Sequence, residues 1–124
     1  MRYNPDQHID PEDWESHDEG EKIEAVRAYH RRQRIPLSND RIHATFPMAA
    51  ENQVAMGDRH PAEAVLCRLM REGLNRHEAV HAIASVVARH VYRALQHEAE
   101  ADLAATYKDE LVSLTAESWL KQGS

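Results

Sequence analysis

Apolar residues recur at helical spacing along almost the whole chain, and no stretch alternates in the manner of a half-buried strand. Asp18 and Glu21 form an Asp-x-x-Glu capping box, so the first long helix is expected to begin at Asp18, with Ile23, Val26 and Tyr29 as its buried stripe. Ahead of it, Asp10-Pro11-Glu12-Asp13 predicts a short helical turn with Asp10 as cap and Pro11 in the first position, after which Trp14 folds onto the core. A connection from Arg32 to Leu37 follows, ended by Pro36. The second helix is expected from Asn39 or Asp40 to Met56, closed by Gly57 and Asp58. Pro47 gives two alternatives there: a helix kinked at the proline, or one that starts near Phe46.

The third helix opens at Pro61 and closes at Gly73, with Val65, Leu66, Leu69 and Met70 on one face and Leu74 placed for a Schellman-type close. The fourth begins at Asn75 and carries the stripe Val80, Ile83, Ala84, Val87, Val91 and Leu95. On one straight helix, Leu103, Tyr107, Leu111 and Leu114 would lie on nearly the opposite face. Either the helix breaks between Gln96 and Ala101, or a long helix offers its tail to a different partner. A tail bearing Leu111, Leu114, Trp119 and Leu120 suits a dimer arm, and equally a fifth helix folding back on its own core. The expected architecture is all-α: four or five helices, orthogonal or bundle-like, around a long central C-terminal helix. Residues 1–97 make the helical domain, and residues 98–124 a C-terminal helical extension of the same domain or an oligomerisation arm.

A chain of 124 residues sustains one modest core. Its formal charge of -6 argues against nucleic acid and anionic membranes as partners, since both need a positive field. The basic run "RAYHRRQR" from Arg27 to Arg34 is the local exception, expected as a solvated helix end where cations meet the negative end of the dipole. Cys67, the one cysteine, excludes an intramolecular disulfide and sits in an apolar stretch where a buried thiol is the default. No run approaches a membrane span, and the acidic N-terminal stretch has no apolar core of the signal-peptide kind. The expectation is a cytoplasmic protein.

The nine histidines change the picture, because two of them stand in "NRHEAVHAI". His77-Glu78-Ala79-Val80-His81 is the H-E-x-x-H string of zinc peptidases, where two histidines a turn apart share the metal and the glutamate is general base. Glu98 or Glu100, in an acidic segment that also holds Asp102, would then supply the third ligand. Three features oppose the peptidase. Asn75-x-x-Glu78 is itself a capping box, which accounts for Glu78 without a metal. The string lies in the first turn of its helix, where peptidases bury it in mid-helix beneath a sheet. No strands are present to make that sheet.

"DEGEKIEAVRAYHRRQRI", "RIHATFPMAAENQVAMGD" and "LCRLMREGLNRHEAVHAIASVVARH" together resemble a bacterial family known only as a domain of unknown function. The motifs are His43-Ala44, Glu51 to Asp58, Leu66 to Leu69 and Arg76 to Ile83, covering roughly residues 10–97. The resemblance implies a small all-helical domain with no established activity. It also implies that Asp is tolerated at the position of Glu78, as a cap allows, and a second histidine four residues after His43, where this chain has Pro47. It points to His43, Glu51, His77 and His81.

If the second and fourth helices pack antiparallel, those four side chains converge as a bundle-type metal site for zinc or another divalent transition metal. The alternative is a buried polar network in which the imidazoles bond Glu51, Asn52 and Gln53 and fix helix register. His90 and His97 are expected in solvent. The expected role is a non-enzymatic protein-interaction or accessory module, a homodimer through its C-terminal helix with a further protein partner. Metal binding through His43, Glu51, His77 and His81 is the first competitor, and a zinc-dependent hydrolase the second.

Overall fold

In the computed structural model the chain is described over residues 1–33, 40–95 and 103–121, the side chains of 40–43 and 103 excepted. It is all-α, with α1 (Pro11–Glu15), α2 (Glu19–Arg32), α3 (Asp40–Ala55), α4 (Ala62–Arg71), α5 (Arg76–Leu95), α6 (Leu103–Ser113) and α7 (Ala116–Lys121). These seven exceed the expected four or five because the segment after α5 makes two helices and α1 is a full, if short, element. A single 3₁₀ turn, Gly57–Arg59, joins α3 to α4.

The helix ends follow from local chemistry. Asp18 accepts from the Glu21 N–H at 2.8 Å while the Glu21 carboxylate accepts from the Asp18 N–H at 3.1 Å, closing the predicted box. Asp10 caps α1 by its backbone carbonyl alone, which accepts from Trp14 N–H. Gly73, at φ 113°, closes α4: Leu74 N–H donates to the Leu69 carbonyl and Gly73 N–H to that of Met70, the two bonds of a Schellman close. Pro47 lies inside α3, which runs through it, so the alternative of a helix starting near Phe46 is corrected.

α3 is the shared wall. α1 and α2 pack on it with Tyr3, Trp14, Ala25, Val26, Tyr29, Ala44, Met48 and Ala55 as one buried cluster. α4, α5 and α6 gather a second and larger cluster that includes Val65, Leu66, Leu69, Ala79, Val80, Ile83, Val86 and Val87. Trp14 is fully buried, and its indole N–H donates to the side-chain oxygen of Asn52 on α3. The buried stripe of α5 ends at Val87; Val91 and Leu95, expected to extend it, are exposed.

Tyr107, Leu111, Leu114 and Ala116 are buried in this second cluster, so the tail folds back on its own chain. The side chains expected to make a dimer arm are thereby consumed, apart from Leu120, which stays exposed, and Trp119, half-buried against the core. Glu72, at the end of α4, accepts from the Ala116 N–H at 2.9 Å, and Arg68 donates to the Val112 carbonyl at 3.0 Å. Those two bonds pin α6 and α7 to α4.

Candidate metal centre

The start of α5 is fixed before any ligand is considered. Asn75 Oδ1 accepts from the Glu78 N–H at 2.8 Å, and Glu78 Oε1 accepts from the Asn75 N–H at 3.0 Å. Asp6 adds a third acceptor for the free first turn, taking the His77 N–H at 3.1 Å. With the backbone held this way, His77 and His81 stand one turn apart with ring centroids 4.5 Å from each other. Asn75→Ala should therefore lower stability by about 1 kcal/mol. Urea unfolding reads this, and an unchanged midpoint would mean the cap pair does not hold this helix start.

A third imidazole comes from α2. His30 is only 2% exposed and continues the buried face of Ala25, Val26 and Tyr29. Its Nδ1 lies 2.8 Å from the Val26 carbonyl, which can only accept, so Nδ1 carries the proton and Nε2 is left as a base. Its ring centre is 5.9 Å from that of His81 and 6.1 Å from that of His77. Tyr29 packs edge-on against both His30 and His77. One ring nitrogen from each of the three histidines falls within 4.8 Å of the other two. The Nε2 atoms of all three are sealed from solvent and have no hydrogen-bond partner.

The bonds of Glu51, Asn52 and Gln53 show where the expected polar network goes. Glu51, Asn52 and Gln53 of α3 are engaged elsewhere. Glu51 takes both guanidinium nitrogens of Arg76 at 2.8 and 2.9 Å and the Tyr3 hydroxyl at 2.7 Å. Asn52 Oδ1 accepts from Trp14 and Lys22. Gln53 accepts from the Tyr107 hydroxyl. None of these bonds involves an imidazole, so the network exists but does not satisfy the histidines.

Two of the three imidazoles have shifted pKa values. Burial, then the neighbouring His77 and His30, push the His81 imidazole down to about 4. His77 is also lowered, by burial foremost and by His30, against the opposing pull of Asp6 and Glu78. Both rings are thus neutral at neutral pH, the form in which imidazole ligates.

Of the four residues singled out from sequence, the structure brings His77 and His81 together. Glu51 is corrected: it lies in the core with Arg76 and Tyr3, because a carboxylate buried this deeply needs a cation of its own. The His43 side chain, and Glu98, Glu100, Asp102 and His97, lie outside the described residues. His30 was missed because it sits in the basic run. Arg31 and Arg32 beside it are exposed, as expected of that run, whereas His30 points inward. Its four-residue spacing from Val26 was the available signal. His90 is half-buried against Tyr107, with ring centres 4.9 Å apart, rather than in solvent. Cys67 is exposed, because the buried face of α4 is Ala62, Val65, Leu66 and Leu69 and Cys67 falls off it.

Outside the triad, an open cleft of ≈ 340 Å³ is lined by His77, Glu78, His81, Trp119 and Leu120. Fold and site together define an all-α protein with a partly buried three-histidine cluster between two of its helices. No family model, curated protein or solved structure matches the chain.

Proposed function

We propose that this protein is a metal-binding helical module that holds zinc, or another borderline divalent transition metal, with His30, His77 and His81. The observation that carries the reading is the convergence of three imidazoles, each offering a ring nitrogen within 4.8 Å of the other two and each with a sealed Nε2 that has no partner. A buried acceptor or donor left unsatisfied costs about 1–3 kcal/mol, and three at one point need a common explanation. An ion satisfies all of them at once. Three imidazole ligands favour zinc, nickel or copper over magnesium or calcium, which prefer oxygen. Around zinc, imidazole nitrogens sit roughly 3.3 Å apart, inside the 4.8 Å limit that holds the three ligand atoms here. The Nδ1–H of His30, bonded to the Val26 carbonyl, is the kind of outer contact that orients a ligating histidine.

The reading is of an accessory role rather than hydrolysis. Glu78 spends one carboxylate oxygen on the Asn75 cap, which leaves it poorly disposed as a general base. Elemental analysis of untagged protein incubated with zinc should give about one metal per chain. The His77→Ala/His81→Ala variant should lose it, and Glu78→Gln should keep it. Wild-type protein that takes up no metal from any of zinc, nickel, cobalt or copper would overturn the proposal.

A further inference from the structure

The triad occupies an unusual place in the fold. α2 and α5 each pack along α3, in separate buried clusters, and are not major packing partners of one another. Where they do meet, they meet through the rings of Tyr29, His30, His77 and His81. Two donors lie on α5 and one on α2, so a bound ion would join the two clusters across their seam. Further ties among the described residues run through the N-terminal arm: Arg76 donates to the Pro5 carbonyl, Asp6 accepts from His77 N–H, and Arg32 donates to the Tyr3 carbonyl. The three Nε2 atoms are sealed from water, and the nearby cleft is lined by His77 and His81 without His30. An ion therefore has no open path to all three donors while α2 lies against α5.

We infer that the histidine triad is a metal-operated clasp: α2 must part from α5 to admit the ion, and the bound ion then locks the two clusters together. The inference rests on the metal reading above and adds a conformational consequence to it. Among the described residues, α2 is tied to α5 by ring contacts and the arm, so without metal the end of α2 is the place where this seam opens locally. With metal, opening costs the coordination of His30, so the ion suppresses it by mass action.

The test is hydrogen exchange by mass spectrometry on the full chain, with and without zinc, alongside the measured zinc stoichiometry. Amides of the C-terminal half of α2 should exchange at least ten-fold more slowly with zinc bound. In His30→Ala the pair on α5 still offers two donors a turn apart, so weaker binding should persist while the protection of α2 disappears. The rate of zinc uptake by the wild-type chain should level off as zinc is raised, because opening becomes limiting. Stoichiometric zinc with unchanged exchange in α2 would overturn the clasp and leave the metal site standing. So would α2 protection that survives in His30→Ala, or an uptake rate that rises linearly throughout. Absence of zinc from the wild-type chain would remove both readings.

Discussion

Glu51→Gln is expected to destabilise the protein by about 3–5 kcal/mol, the largest single effect of any substitution considered. The Glu51 side chain is 1% exposed and that of Arg76 7%, so neither charge can be rescued by water when its partner goes. The glutamine keeps the shape of the site but leaves the guanidinium without its counter-charge. It also removes the carboxylate to which the Tyr3 hydroxyl donates, a phenol held protonated by burial and by Glu51 itself. Against the 5–15 kcal/mol stability of a typical domain, a loss of this size brings the chain near its unfolding threshold. Urea unfolding at neutral pH measures it. A double variant, Glu51→Met with Arg76→Leu, should recover part of the loss, since both charges go together. Full recovery is not expected, because the Pro5 carbonyl and the Tyr3 hydroxyl lose their partners. A cost below about 1 kcal/mol for Glu51→Gln would show that the pair is not the closed, dry contact described.

The second large effect is an acid sensitivity centred on His81. Its folded-state value is about 4, against about 6.5 for an unperturbed imidazole. Between those two values the unfolded chain binds the proton and the folded one does not. Stability therefore rises with pH through this window and is lost as pH falls from about 6.5 toward 4. The total is on the order of 3 kcal/mol for His81, with His77 adding to it in the same direction. Thermal unfolding in chelator between pH 7.5 and 4.5 should show the decline, and His81→Gln should flatten it. Equal slopes for the two proteins would mean that burial does not depress this imidazole. Zinc should steepen the decline, because protons and metal compete for the same nitrogens.

The fold was largely legible in the sequence, because helix ends are local chemistry. Asp18 with Glu21, Asn75 with Glu78, and Gly73 with Leu74 each act within a few residues, and each does in the structure what its spacing predicts. Pro47 was ambiguous because tertiary packing decides whether a helix tolerates a proline, and α3 is packed on both sides. The candidate site was half legible. His77 and His81 share a turn, so one helix places them together, whereas His30 reaches them only through the way α2 crosses α3. Glu51 was expected among the histidines because eight residues of helix put it on the same face as His43. The preference of a buried carboxylate for Arg76 and Tyr3, both distant in sequence, is not visible from that spacing. The same holds for Arg31 and Arg32, whose charge hid the inward-facing imidazole beside them.

The return of the tail has a consequence for how the protein is made. Tyr107, Leu111, Leu114 and Ala116 complete the cluster built by α4 and α5, and Glu72 accepts from the first N–H of α7, 44 positions further along the chain. A nascent chain that has emerged only as far as α5 therefore carries an apolar face with nothing to cover it. The larger cluster can close only once the C-terminal segment has left the ribosome, while α1, α2 and α3 can settle earlier. Premature termination or proteolytic clipping near residue 97 should accordingly yield a sticky, short-lived fragment, and not a smaller working domain.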